Sequence, residues 1–200
     1  VTTQDPSTPN APARLAVLIS GGGRTMLNID DLCRSGDIPA AVALVIASKP
    51  CPGADKARDR GIPVEVIKGE IPAVVLSSLL AVFRIDWVVL AGYLKKISIP
   101  RGYESRVVNI HPALLPDFGG PGMYGHHVHE AVLKAGRHES GCTVHLCDDR
   151  YDTGPIILQR RCPVLPGDTP ETLARRVFDE ELLAYPEALR LLIAGQTVAR

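Results

Sequence analysis

Apolar, β-branched runs alternate along this chain with segments of helical periodicity. Residues 15–19 form one uninterrupted apolar run that stops at Ser20-Gly21-Gly22-Gly23. Such a run is too short for a stable helix and reads as a strand buried on both faces. A helical pattern follows over about 25–34, then a strand at 41–47, a short helix at 54–60 and a strand at 63–67. Residues 72–83 read as a helix, 87–91 as a buried strand and 107–110 as another strand. This rhythm predicts an α/β fold of three layers, with a mostly parallel sheet and a Rossmann-like N-terminal half. The later pattern is different. Residues 142–147 and 156–164 are both extended and are joined by the turn-rich 148–154, which predicts a C-terminal antiparallel hairpin. A last helix is expected from Thr169-Pro170-Glu171, where Thr caps and Pro suits the first helical position. Pro186 is expected to interrupt or kink it before 189–193.

Composition narrows the setting. Two hundred residues fit one domain, placed at 14–200, with 1–13 as a flexible N-terminal tail rich in Pro and Thr. Lys+Arg and Asp+Glu are each 22, so the basic excess of a nucleic-acid surface is missing. A 46% hydrophobic share argues against disorder, and with aromatics at 4% the core must be aliphatic. Cys33, Cys51, Cys142, Cys147 and Cys162 form no C-x-x-C or zinc spacing and read as reduced thiols. With no signal-peptide core and no membrane-length apolar run, the cytoplasm is the expected location, with no membrane partner.

In an open α/β sheet, ligands gather beyond the C-terminal ends of the strands. Three segments should meet there. Ser20-Gly21-Gly22-Gly23-Arg24-Thr25 leads from a strand into a helix, a place where backbone amides and the helix dipole favour an anion. A dinucleotide fingerprint does not fit, because Met26 takes the third glycine's place and no acid ends the second strand. A plain strand-to-helix turn is the alternative. Asn109 and His111, two apart at a strand end, should face the same way. A carboxylate from the 148–154 loop, where Asp148, Asp149 and Asp152 compete, would complete an Asn/His/Asp group suited to acyl transfer. The Gly- and His-rich stretch 117–129 reads as a mobile loop over the site. His126, His127 and His129 raise a zinc site, but no acidic or cysteine partner is well placed, so no metal is expected.

Asn109-x-His111-Pro112-x-Leu114-Leu115-Pro116, Gly141-Cys142-Thr143-Val144-His145 and Tyr151-Asp152-x-Gly154-Pro155-Ile156-Ile157 resemble, in this order, the formyltransferases that use 10-formyltetrahydrofolate. The resemblance runs from about Arg14 to the C-terminal end. It is strongest to the branch that formylates 5-phosphoribosylglycinamide in purine synthesis, and implies small-molecule substrates and a monomer or homodimer. The resemblance implies that Asn109 and a protonated His111 stabilise the developing oxyanion. It also implies that Asp152 keeps His111 charged and helps move the amine's proton to the folate nitrogen. Gly23, Arg24, Thr25 and Met26 match a monophosphate site, and Glu181 a carboxylate that contacts the acceptor. Leu94, Lys95, Lys96 and Ile97 match a folate-contacting segment, aided by Asn109 and by Asp148 and Asp149 as loop-shaping or backbone contacts. Met123-Tyr124-Gly125 would face the nucleotide. Arg24 and Thr25 stand where Ser and Asn are common, and paired lysines stand where one basic residue and an aliphatic are usual. Related hydrolases carry an extra N-terminal domain and tRNA formylators a basic C-terminal one, and neither is expected here. A sugar-nucleotide formyltransferase would need a larger pocket. A non-catalytic phosphate-binding module is the rival of another class.

Overall fold

A computed structural model describes residues 11–196, so expectations for 1–10 lie outside the described residues. Strands β1 (Ala13–Ile19), β2 (Ala40–Ala47), β3 (Val64–Val66), β4 (Trp87–Leu90) and β5 (Val107–His111) pair in parallel. β6 (Glu139–Leu146) runs antiparallel to both β5 and β7 (Ile156–Pro163). The sheet order is β3-β2-β1-β4-β5-β6-β7. The helices are α1 (Arg24–Ser35), α2 (Pro52–Asp59), α3 (Ala73–Val82), α4 (His126–Lys134) and α5 (Pro170–Ile193). No helix among the described residues is long and apolar enough to cross a membrane.

The unbroken apolar run of β1 follows from burial on both sides. Leu15, Val17 and Ile19 face a core built with Met26, Ile29, Leu173 and Val177, whereas Ala16 and Leu18 face the core of Leu76 and Leu80. Alternate residues thus serve opposite layers, which explains why no polar position appears. Tyr185 of α5 is fully buried, and its hydroxyl lies 3.0 Å from Leu90 O and 2.8 Å from Val108 O. It pins the last helix to the ends of β4 and β5.

Two expectations need correction. Of the interruption or kink expected at Pro186, the interruption does not occur: α5 runs on through it as one helix of 24 residues. A proline removes the N–H that would bond the carbonyl four residues earlier, here that of Leu182. Asn28 of α1 supplies the substitute: its Nδ2 donates to Leu182 O at 2.9 Å. The expected 117–129 loop also ends early, because His126 starts α4, which buries Val128, His129 and Val132. A histidine on the inward face concealed that helix's apolar stripe from a reading by hydrophobic period.

Asn28→Ala should leave Leu182 O unpaired and lower the unfolding free energy by about 1–2 kcal/mol. Adding Pro186→Ala, which restores the helical N–H, should recover part of that loss. Denaturant unfolding of the two single variants and the double variant measures the coupling.

Candidate active site

β5, next to the central strand β4, ends with Asn109 and His111 at the sheet's C-terminal edge. His111 is 3% exposed, with Nε2 2.8 Å from Phe118 O and Nδ1 3.5 Å from Asp152 Oδ2. Acceptors therefore face both ring nitrogens. Phe118 and Asp152 hold positive φ angles of 55° and 58°, a conformation unfavourable for residues with a Cβ. Such strain persists only where the surroundings fix it, and here both strained residues aim an oxygen at one imidazole. Asp152 also accepts the Gly120 N–H at 2.9 Å, which joins its loop to the 117–125 segment.

His145 on β6 is the register partner of Asn109 and was assigned no role in sequence. Its Nδ1 lies 2.9 Å from Leu146 O, its Nε2 3.1 Å from Asn109 Nδ2 and 3.5 Å from Asp152 Oδ1. With Nδ1–H donated to Leu146 O, a neutral ring leaves Nε2 as the acceptor. That network requires the amide nitrogen of Asn109 to face it. One amide hydrogen is thus taken by His145 and the other is left for the cleft. Its sequence signal was the strand alternation of Thr143 and His145. Behind the turn, Thr143 Oγ1 donates to Ala113 O and accepts from Leu115 N–H, and Gln159 Nε2 reaches both Leu115 O and Thr143 Oγ1.

The electrostatics correct one expectation. Burial pushes the His111 pKa below its ordinary value and outweighs the attraction of Asp152 and the Phe118 carbonyl, with His145 also opposing charge. The free site therefore does not hold His111 protonated near neutrality. For Asp152 the balance is reversed. Burial opposes its charge, but the imidazoles of His145 and His111 beside it and the Gly120 N–H together hold the carboxyl below its usual range.

A cleft of about 350 Å³ lies over these groups, bordered by Asn109, His111 and Asp152 on one side and Met123, Tyr124 and Gly125 on the other. Leu94 and Lys95 line it too. A smaller recess of about 90 Å³ continues from Asn109 and His145 to Lys95, Lys96, Ile97 and Asp148. Lys96 Nζ stands 5.9 Å from the Tyr151 ring centroid. Asp148 accepts from Arg150 N–H and Thr153 Oγ1, which shapes the loop, while exposed Asp149 borders neither cavity. Tyr93, which sequence reading did not single out, borders both. A larger cavity, about 920 Å³, lies behind the Leu115–Phe118 turn and contains none of the expected site residues.

A further cavity of about 480 Å³ holds Arg24 and Glu181 beside Pro112. Gly23 caps α1 at φ 71°, and the first backbone bond of the helix runs from Leu27 N–H to Gly23 O. The amides of Arg24, Thr25 and Met26 precede it and have no acceptor within the helix, while the Met26 side chain is buried in the core. The Arg24 guanidinium stacks 3.8 Å over the Phe178 ring. Gly53 packs so closely under the loop that an added Cβ would meet Gly21 O at 2.7 Å, a requirement no local motif announced. His127 is turned to Tyr124 and to Glu130, which His126 also contacts, and the described residues contain no group of three metal-ligating side chains.

The match to the formyl transferase family covers residues 13–189, and the chain belongs to that family. The chain is 42% identical over 197 residues to a chloroplastic phosphoribosylglycinamide formyltransferase of Vigna unguiculata, covering 94% of this chain and 63% of that protein. The phosphoribosylglycinamide formyltransferase of Haemophilus influenzae is 33% identical, with 92% and 88% covered. The fold matches the glycinamide ribonucleotide transformylase 1 structure from Symbiobacterium toebii with a TM-score of 0.85, 38% identity, and 95% and 92% of the chains covered. The chain thus spans just under two thirds of the plant relative's length but most of the bacterial one's.

Burial raises the Glu181 pKa to about 7, against a partial opposing pull from Arg24. Between pH 4.5 and 7 the unfolded chain ionises this group while the folded chain keeps the proton, so its contribution to stability falls as pH rises. Burial lowers His129 to about 4, with the charges of His126 and His111 adding to it, and its contribution has the opposite slope. The unfolding free energy of Glu181→Gln relative to the parent chain should therefore climb from pH 4.5 to about 7 and level off above. A difference that does not change with pH in denaturant titrations would mean that Glu181 is ionised in the folded chain.

Proposed function

We propose that the protein transfers the formyl group of 10-formyltetrahydrofolate to the amine of 5-phosphoribosylglycinamide, giving the N-formyl product and tetrahydrofolate. The observation that carries this reading is the position of Asn109, His111 and Asp152 between two differently equipped cavities. One side offers the free amides of the Gly23 loop with Arg24 and Glu181, suited to a phosphorylated acceptor. The other offers an apolar recess past Ile97 and Leu90, rimmed by Lys95 and Lys96, suited to a flat folate head and its carboxylates. The names of the plant and bacterial relatives support the same reaction.

In the reaction the acceptor nitrogen bonds to the formyl carbon and the carbon's bond to folate N10 breaks. One proton leaves the amine and one arrives at N10. Negative charge gathers on the formyl oxygen in between. The free amide hydrogen of Asn109 and the Nε2–H of His111 are the donors for that oxygen, which competes with Phe118 O for the imidazole. Developing negative charge raises the proton affinity of His111, which takes up on Nδ1 the proton the amine releases to Asp152, and the carboxylate stabilises the imidazolium until that proton passes on to folate N10. Asp152, already ionised, is also the acceptor for the amine's proton, directly or through water. Gly23, Thr25 and Met26 contribute backbone, Arg24 and Glu181 side chains; Leu94, Ile97 and Asp148 frame the folate end. We place the enzyme in a reducing compartment, as a monomer or homodimer, and the chemistry calls for no metal.

Mixing the protein with 10-formyltetrahydrofolate or its dideaza analogue and following absorbance on adding phosphoribosylglycinamide tests this directly. Amine-dependent change supports the transfer; change without the amine marks a hydrolase, and no change with either sinks the reading. Asn109→Ala, His111→Ala and Asp152→Asn should each lower kcat by about 100-fold or more with the fold intact. Near-normal turnover in His111→Ala would overturn the assigned mechanism.

A further inference from the structure

The segment bordering the folate recess leaves the sheet at a definite point. Ala91 N–H still donates to Leu18 O of β1 at 2.9 Å. The chain then turns away at Gly92, whose φ of 75° suits a residue without a Cβ. It is caught again at two places. Leu94 N–H donates to the Ser20 hydroxyl at 3.0 Å, and Ile97 forms a parallel bridge with Ile71. Lys95 and Lys96 lie between these ties and line the recess.

Ser20 belongs to the opposite side of the site. It follows β1 directly and begins the Gly21-Gly22-Gly23 turn into α1. Ser20 and Ser48 are both buried, and the Ser48 hydroxyl donates to Ser20 Oγ at 2.8 Å. Ser48 is in turn fixed to β1, its N–H donating to Ile19 O at 3.0 Å. A hydroxyl oxygen has two lone pairs, and Ser48 and Leu94 together occupy both. The ends of β1 and β2 therefore hold this oxygen in place. Leu94 itself is 61% exposed, so packing does little to hold it and the bond to Ser20 does most.

We propose that Ser20 is a positioning residue for folate binding, its hydroxyl anchoring the Leu94 amide so that the 94–97 backbone is held in place for the folate head. This rests on reading the recess as the folate side. Ser20 acts through Leu94, not by contact with either substrate. Its consequence crosses the site: a side chain at the start of the acceptor's loop sets affinity for the formyl donor. A backbone already ordered by this anchor leaves less ordering for the ligand to bring about, which favours binding.

Amide hydrogen exchange, read residue by residue by NMR on the full chain, tests the anchor without a ligand. Ser20→Ala should speed exchange at Leu94 about tenfold while the β5 amides change little. Ser20→Thr keeps the hydroxyl and should keep the protection. Ser48→Ala removes one of the two bonds to the oxygen, leaves the loop sequence intact and should lie in between. In calorimetric titrations Ser20→Ala should bind the dideaza analogue of 10-formyltetrahydrofolate about tenfold more weakly, with Ser20→Thr near the parent chain. In the transfer assay Ser20→Ala should raise the folate KM about tenfold and the acceptor KM less than about twofold. Unaltered Leu94 exchange, unaltered affinity for the analogue in the folded variant, or equal rises in both KM values would overturn the inference. Faster Leu94 exchange in Ser20→Ala, with a parent chain that binds no folate analogue, would uphold the anchor and fail the proposed reaction instead.

Discussion

The site depends on the burial of one carboxylate. Asp152 lies between His111 and His145 and accepts the Gly120 N–H, so β5, β6, the 117–125 segment and its own loop converge on a single group. An ionised carboxylate with so little water around it is costly unless its oxygens are occupied. Here each oxygen has a histidine at 3.5 Å, and one has a backbone amide besides. The 3.5 Å separations are longer than good hydrogen bonds, so the anion is held more by charge and placement than by saturated bonding. Its left-handed backbone completes the constraint, since the loop must curl back at Asp152 to bring the carboxylate over the sheet edge. Once that group is in place, the orientations of His111 and, through His145, of Asn109 follow.

Much of the fold was legible because the strands obey a simple rule. Runs such as 15–19 and 41–47 are apolar at every position since helices cover both faces, and the order of runs and helices then leaves few topologies. The two failures have a common cause: local pattern does not reveal a partner from a distant element. Pro186 signals a broken helix until Asn28 is found donating to Leu182 O from a separate helix. α4 lacks a clean apolar stripe because His129 takes an inward position that another cavity-lining group would share.

At the site, residue types and spacing announced Asn109, His111 and Asp152, but not the protonation state of the histidine. Sequence places a carboxylate near the imidazole and so favours its charged form. The structure adds that the ring is almost wholly buried, and the desolvation penalty outweighs the neighbour's attraction. His145 was hidden for a different reason. Its role depends on which β5 residue lies across the ladder, and register is a property of the paired strands that neither strand displays alone.

A buried, neutral His111 flanked by acceptors is a better starting point for the proposed chemistry than a permanent cation would be. A resting imidazolium beside Asp152 would form a satisfied ion pair, and a substrate oxygen would then have to compete with it for every donor. With the neutral ring, the ionic interaction reaches full strength only as charge grows on the substrate. Stabilisation that appears chiefly in the transition state accelerates the step, whereas stabilisation present from the outset does not. The cost of burying the site is therefore what confines its strongest electrostatic interaction to the moment of transfer.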